Sequence, residues 1–125
     1  MSIEKKKILL VEDDTFISDM YRKKLESSGF NVVSSTDGMS ALVLAASEYP
    51  DLILLDIMLP KMDGWDALDR LKDDPDTKDI PVIIMTNLGS QEDVKRGLEM
   101  GAVDYLIKAH FVPSEVVKKI SAIIQ

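Results

Sequence analysis

The sequence contains no cysteine, and it has one histidine and one tryptophan among its 125 residues. Without cysteine the chain can form neither a disulfide nor a thiolate metal site. No apolar run approaches the roughly 20 residues that a membrane-spanning helix needs. Residues 1–7 carry positive charge but lack the apolar stretch of a signal peptide. We therefore expect a cytoplasmic protein without membrane contact.

Basic residues are also scarce relative to acidic ones. The chain has 15 Lys and Arg against 22 Asp and Glu, for a net charge of −7. A protein that binds nucleic acid directly needs a basic face to neutralise phosphates, so this balance disfavours that function. A hydrophobic content of 46% is too high for disorder. The length suits one domain, which we assign to residues 1–125.

Short apolar runs recur along the chain and predict strands. The strongest cover residues 8–11 (ILLV), 52–55 (LILL) and 82–85 (VIIM), and weaker ones cover residues 32–33 and 105–107. Continuous apolar runs of this length are typical of parallel strands that are covered on both faces.

The segments between these runs have helical spacing of apolar residues. Ser28 with Gly29, Pro50 and Gly101 mark the ends of the first, second and fourth helices. Ser90 with Asp93 resembles a capping box at the start of the fourth helix, and Pro113 begins the fifth. Five β–α units with right-handed crossovers predict an α/β fold, a three-layer sandwich around an open parallel sheet. Ligands of such sheets bind beyond the carboxyl ends of the strands.

The residues at those strand ends can carry chemistry. Glu12, Asp13 and Asp14 follow the first strand, and Asp56, Thr86 and Lys108 end the third, fourth and fifth. Clustered carboxylates repel one another unless a cation offsets the charge, and oxygen ligands without histidine or cysteine suit Mg²⁺. A lysine and a hydroxyl can bind phosphate oxygens, and a carboxylate can act as a nucleophile that yields an acyl phosphate.

Four segments together resemble the receiver domains of bacterial response regulators. They are residues 11–14 (VEDD), 55–64 (LDIMLPKMDG), 85–86 (MT) and 105–108 (YLIK), and the likeness covers essentially the whole chain. The resemblance implies a flavodoxin-like (βα)5 fold with strand order 2-1-3-4-5. It also implies a phosphoacceptor signalling domain rather than an enzyme that turns over a substrate.

The resemblance implies a role for each matching residue. Asp56 is the phosphoacceptor, which takes a phosphoryl group from the phosphohistidine of a sensor histidine kinase or phosphotransfer protein. Asp13 binds Mg²⁺ directly and Glu12 through water, while Asp56 and the backbone carbonyl of Met58 complete the protein ligands. Asp14 is expected to cap the first helix instead.

Three further residues are expected to respond to the phosphoryl group. Lys108 pairs with it, Thr86 moves to hydrogen-bond it, and Tyr105 turns from an exposed to a buried position. The surface of the fourth helix, fifth strand and fifth helix then binds a downstream protein or forms a homodimer. The candidate residues on that surface, besides Tyr105, are Lys95, Arg96, Asp104, Lys118 and Lys119.

Three departures from the receiver pattern lead to further expectations. Ala109 stands where proline usually follows the lysine, and because a cis bond costs an ordinary peptide about 2.5–4 kcal/mol, we expect the Lys108–Ala109 bond to be trans. Asn87 stands where a small residue is usual, and we expect it to crowd the phosphoryl site or to form a hydrogen bond near it. Met58 and Leu88 are apolar and cannot orient water, which predicts a long-lived acyl phosphate.

Other functions remain open from the sequence alone. A pseudo-receiver would keep the fold as an interaction module and lose phosphotransfer. A phosphatase of the haloacid dehalogenase type would carry a second aspartate two residues after the nucleophile, where this chain has Met58. The chain could also be the receiver part of a longer transcription factor or hybrid kinase.

Overall fold

The computed structural model describes residues 5–124. Residues 1–4 and Gln125, which we assigned to the same domain, lie outside the described residues. The strands are β1 (Lys7–Val11), β2 (Asn31–Ser35), β3 (Leu52–Leu55), β4 (Val82–Thr86) and β5 (Asp104–Ile107). The α-helices are α1 (Thr15–Ser27), α2 (Gly38–Glu48), α3 (Gly64–Asp73), α4 (Gln91–Glu99) and α5 (Pro113–Ile124).

The sheet is parallel, and its strand order is β2-β1-β3-β4-β5, as the resemblance predicted. Alternate residues of each central strand point into two separate cores. Leu9 and Ile53 pack under α2 and α3, whereas Ile8 and Leu52 pack under α1 and α5. Because both faces are covered, the central strands are apolar except at Lys7, which begins β1, and Thr86, which ends β4.

The weak apolar signal of β2 has a simple cause. This strand lies at one edge of the sheet, and Val32 and Val33 are only half-buried. An edge strand is covered less completely than a central one, so it needs fewer apolar residues.

Polar side chains cap the starts of the first four helices. Asp14 accepts hydrogen bonds from the N–H groups of Phe16 and Ile17, at 2.9 and 3.1 Å, which confirms it as the cap of α1. Ser90 accepts from Asp93 N–H at 3.0 Å, which confirms the predicted start of α4. Asp37 and Asp63 cap α2 and α3 in the same way.

The segment after β5 takes a local turn that the sequence did not indicate. Residues Lys108–His110 form a short 3-10 helix. The Lys108–Ala109 bond is trans, as expected, and residues 5–124 contain no cis peptide bond. Within that same range, no helix has both the length and the apolar character needed to cross a bilayer.

Candidate functional site

The polar residues at the strand ends meet in one place. Glu12, Asp56 and Thr86 are buried at the carboxyl edge of the sheet, and they follow or end β1, β3 and β4. Lys108 reaches the same place from the end of β5, and its side chain is only 12% exposed. The predicted site residues therefore come together although they are far apart in the chain.

Lys108 links two of the acids. Its Nζ donates a hydrogen bond to Asp56 Oδ2 at 2.7 Å and a second, short one to Glu12 Oε1. The other carboxylate oxygens accept backbone hydrogen bonds: Glu12 Oε2 from Asp14 N–H, and Asp56 Oδ1 from Met58 N–H, each at 3.1 Å. These contacts hold the Asp56 carboxylate in one orientation.

Burial and hydrogen-bonded ion pairing shift the pKa values of Glu12 and Lys108 in opposite directions. Burial raises the pKa of Glu12, although hydrogen bonds from Lys108 and from Asp14 N–H oppose that shift. Burial disfavours the charged form of Lys108, but the hydrogen bonds to Asp56 and Glu12 outweigh it and raise the pKa of the ammonium. Lys108 is therefore held as a cation beside the acids.

The acids have the geometry of a cation site. Glu12, Asp13 and Asp56 each have a carboxylate oxygen within 4.8 Å of the others, and Asp13 is the exposed member at the opening. One ammonium cannot neutralise three carboxylates, so the cluster keeps an excess of negative charge. Its all-oxygen donors fit a hard divalent cation such as Mg²⁺. Asp14 is not in this cluster, in agreement with its capping role.

The rim of the site is formed by residues two positions beyond Asp56 and Thr86. The side chain of Met58 is exposed and that of Leu88 is half-buried, and both line a groove of about 450 Å³ with Asp13 and Trp65. A phosphatase of the haloacid dehalogenase type would require an aspartate at position 58, and this chain has Met58 there. Asn87 is exposed and lines a second groove that includes Lys108.

Tyr105 is buried in this structure. Of the two positions predicted for its side chain, exposed and buried, it therefore occupies the second. Its hydroxyl donates a hydrogen bond to the carbonyl of Leu88 at 2.6 Å, which ties β5 to the loop after Thr86. Burial, and then the charges of Asp93 and Asp56, raise the pKa of the phenol to about 12.

The surface of α4, β5 and α5 is more internally paired than the sequence suggested. Lys119 lies 3.7 Å from Asp104, and Lys95 lies 3.9 Å from Glu99. The guanidinium of Arg96 stacks on the ring of Trp65, 4.2 Å from its centroid. We did not foresee this stacking, because Arg96 and Trp65 lie on different helices and no local pattern connects them.

Three glycines form close contacts; the sequence indicates Gly64, as a residue that shapes the loop behind Asp56, but it does not indicate Gly38 or Gly97. A Cβ on Gly64 would overlap the backbone of Asp56 and Ile57, one on Gly38 would overlap Met62, and one on Gly97 would lie 2.8 Å from the ring of Tyr105. For Gly38 and Gly97, glycine at a helix start or in a helix interior was the available signal.

Comparison with known proteins agrees with this architecture. The response regulator receiver domain profile matches residues 8–121. The chain is 41% identical to the DNA-binding dual master transcriptional regulator RpaA of Synechocystis over 119 residues, which are 95% of this chain and 49% of that protein. The chain thus spans about half the length of the curated relatives it matches.

Solved structures give the same result. The receiver domain of the Francisella response regulator 1452 superposes with a TM-score of 0.88 and 32% identity, over 95% of this chain and 96% of that one. The Mn²⁺-bound form of response regulator Rcp1 superposes with a TM-score of 0.79 and 34% identity, over 94% and 91%. The profile match, the sequence identity and the shared fold show that the chain belongs to the response regulator receiver domain family, the phosphoacceptor domains of two-component signalling.

Proposed function

We propose that Asp56 is the phosphoacceptor of this domain and that the phosphoryl donor is a phosphohistidine on a histidine kinase or phosphotransfer protein. The observation that carries the proposal is the Asp56 carboxylate itself. It is buried at the end of β3, bound by Lys108 at 2.7 Å, and within 4.8 Å of the carboxylates of Glu12 and Asp13.

The transfer exchanges one bond to phosphorus for another. A carboxylate oxygen of Asp56 attacks the phosphorus, an O–P bond forms, and the P–N bond of the phosphohistidine breaks with its electron pair left on the imidazole. Positioning and charge stabilisation supply most of the acceleration of such a step. This domain would thereby catalyse its own phosphorylation.

We assign Glu12, Asp13, Asp56 and the carbonyl of Met58 as the protein ligands of Mg²⁺. Bound Mg²⁺ would neutralise the acids and stabilise charge on the phosphoryl oxygens. The Mn²⁺-bound form of the related Rcp1 supports a divalent cation in this family. Lys108 then pairs with a phosphoryl oxygen, and the hydroxyl of Thr86 donates to another.

Substitution of the nucleophile tests the chemistry. Asp56→Asn should abolish phosphorylation by acetyl phosphate or a cognate kinase, because an amide oxygen is a poor nucleophile and the resulting product is not an acyl phosphate. Intact-protein mass spectrometry measures the added phosphoryl group, and chelation of Mg²⁺ should abolish the addition in the wild type. Persistent phosphorylation of Asp56→Asn at the same donor concentration would mean that the nucleophile is misassigned.

The two acids after β1 should contribute unequally to Mg²⁺ affinity. Asp13 is exposed at the opening and free to bind the cation directly, whereas Glu12 is already bound to Lys108. Asp13→Asn should therefore weaken Mg²⁺ binding by about 10-fold or more, and Glu12→Gln by less. Calorimetric titration with MgCl2 gives both constants, and the reverse order would contradict the assignment.

The output of the domain leaves through the surface of α4, β5 and α5. This surface includes the exposed side chains of Leu98 and Val103 and two ion pairs, Lys95 with Glu99 and Lys119 with Asp104. Such a mixed surface suits a switchable contact with a downstream protein or a second copy of the chain. Chemical-shift changes on addition of beryllofluoride and Mg²⁺ should map to this surface. Changes confined to α1 and β2 would exclude it.

A further inference from the structure

We propose that Gly38 is a positioning residue for the candidate metal site, although it supplies no ligand. It is the first residue of α2, and the β2–α2 turn, taken here from the last residue of β2 to the first of α2 (residues 35–38), contacts both loops that carry the proposed ligands. The inference rests on the proposed function, because it concerns the Mg²⁺ ligands assigned above.

The first contact of the turn is with the acidic segment after β1. The N–H of Glu12 donates to the carbonyl of Ser35 at 2.9 Å, and the hydroxyl of Ser35 donates to the carbonyl of Asp37, also at 2.9 Å. The backbone at Glu12 is therefore bound to the same turn from which α2 begins.

The second contact is with the β3–α3 loop (residues 56–63), which carries Asp56 and the carbonyl of Met58. The carbonyl group of Met62 lies directly against the Cα of Gly38. A Cβ at residue 38 would overlap the Met62 carbonyl oxygen and come within 2.9 Å of the Met62 Cβ. Because the atom in the way belongs to the backbone, no side-chain rotation can relieve the overlap.

Space, and not backbone conformation, explains glycine at this position. Among residues 5–124, the glycines with positive φ are Gly29 and Gly101, so Gly38 has a conformation that any L-residue can adopt. What it provides is the close approach of two backbone segments.

Neighbouring contacts hold the loop and the turn together. Asp37 caps α2 by accepting from Ser40 N–H at 2.8 Å, and the ammonium of Lys61 lies 3.7 Å from the same carboxylate. On the other side of the loop, Gly64 N–H donates to the carbonyl of Ile57 at 2.8 Å. The loop is therefore bounded at both ends, and displacement at Met62 would be transmitted toward Met58.

Gly38→Ala tests the inference through metal affinity measured on fully folded protein. Trp65 lines the groove with Asp13 and Met58, so its fluorescence reports Mg²⁺ binding, and calorimetry gives an independent constant. We expect Gly38→Ala to raise the dissociation constant for Mg²⁺ by about 10-fold, as changes behind metal ligands commonly do.

Gly97→Ala is the matched control, because its Cβ would also overlap its neighbours, but the nearest of these are the side chains of Ile84 and Tyr105, and neither residue is a proposed Mg²⁺ ligand. It should lower the unfolding temperature and leave the Mg²⁺ constant within twofold of the wild type. The same unchanged constant in folded Gly38→Ala would overturn the positioning role. Failure of the wild type to bind Mg²⁺ would instead refute the metal site itself, and the positioning role with it.

If Gly38→Ala does not fold, variants of Asp37, the residue that caps α2, test the positioning role of the β2–α2 turn instead. Asp37→Ala removes the side-chain acceptor that holds the start of the helix, and Asp37→Asn retains an acceptor. Weaker Mg²⁺ binding by Asp37→Ala than by Asp37→Asn is expected. Equal constants in the two folded variants would overturn the proposal.

Discussion

The side chain of Met58 stands at the opening of the site, where a water molecule would approach the acyl phosphate. It is 58% exposed, and it has no group that could orient that water. A positioned acid or base contributes about 10²–10⁴-fold to proton transfer, and a polar group that only orients water contributes less. We therefore expect Met58→Asn to accelerate dephosphorylation by about 10-fold, measured by loss of label after the donor is removed.

Met39→Asn is the control for this change. Met39 is also an exposed methionine, 52% accessible, but it lies on α2. Its replacement should leave the rate unchanged. Equal dephosphorylation rates for Met58→Asn and the wild type would remove the basis for a long-lived acyl phosphate.

At the scale of single residues, the sequence predicts which groups meet but not how they pair. Asp56, Thr86 and Lys108 could be assigned because each ends a strand of a parallel sheet, and topology alone brings such ends together. The hydrogen bond from Lys108 to Glu12 could not be foreseen, since it depends on the reach of one flexible side chain. The buried position of Tyr105 likewise depends on space left by another helix.

The start of α1 gives a prediction at the scale of the element. Asp14→Ala removes the acceptor for two backbone N–H groups, at Phe16 and Ile17, and should lower the free energy of unfolding by about 0.5–2 kcal/mol. Urea denaturation measures the loss, and Asp14→Asn should recover most of it. Because Asp14 is a cap and not a ligand, both variants should bind Mg²⁺ as the wild type does. A large loss of Mg²⁺ affinity in Asp14→Asn would identify Asp14 as a ligand.

Gly97 connects α4 to the position of Tyr105. A methyl group there would lie 2.6 Å from Ile84 Cδ1 and 2.8 Å from the tyrosine ring. Gly97→Ala should therefore lower the free energy of unfolding by about 1–3 kcal/mol and drive the Tyr105 ring outward.

Outward movement of the Tyr105 ring has a direct spectroscopic signature. In the buried position the phenol has a pKa of about 12, raised first by burial, so it stays protonated at pH 11. Exposure in Gly97→Ala should lower that pKa toward the ordinary value of about 10, so the phenol would be ionised at pH 11. Ultraviolet titration of tyrosinate measures the shift, with Tyr105→Phe to assign it. An unchanged titration curve would show that the ring stays buried.

The elements themselves were the most predictable part of the fold. Residues 52–55 were assigned as a strand from four consecutive apolar residues, and β3 has those bounds. The α4 helix was assigned from its capping residues, because its one fully buried member is Gly97, which has no apolar side chain to produce a pattern. The 3-10 helix at Lys108–His110 is a single turn of three residues within a loop. Such a turn is too short to produce a periodic pattern in the sequence.

Metal binding should stabilise the whole molecule. The acids repel one another in a chain of net charge −7, and a cation that binds only the folded state relieves that repulsion. At a Mg²⁺ concentration of about 100 times its dissociation constant, the free energy of unfolding should rise by about 2.7 kcal/mol. Thermal denaturation with and without MgCl2 measures the gain. A 10-fold weaker affinity in Asp13→Asn should reduce the gain at the same concentration to about 1.4 kcal/mol, and an equal gain in that variant would place the stabilising site elsewhere.

The contact between Lys108 and Glu12 has a consequence for biosynthesis. The two residues are 96 positions apart, and Lys108 and Asp56 are 52 apart. Contacts of such long sequence separation form slowly in folding, because the chain must first lose the entropy of the long loop between them. A nascent chain that has left the ribosome only as far as β4 has its acids but lacks the lysine that binds them. Under the roles proposed for Asp56 and Lys108, we expect competence for phosphoryl transfer to begin when β5 joins the sheet, so incomplete products of translation should not compete for the signal.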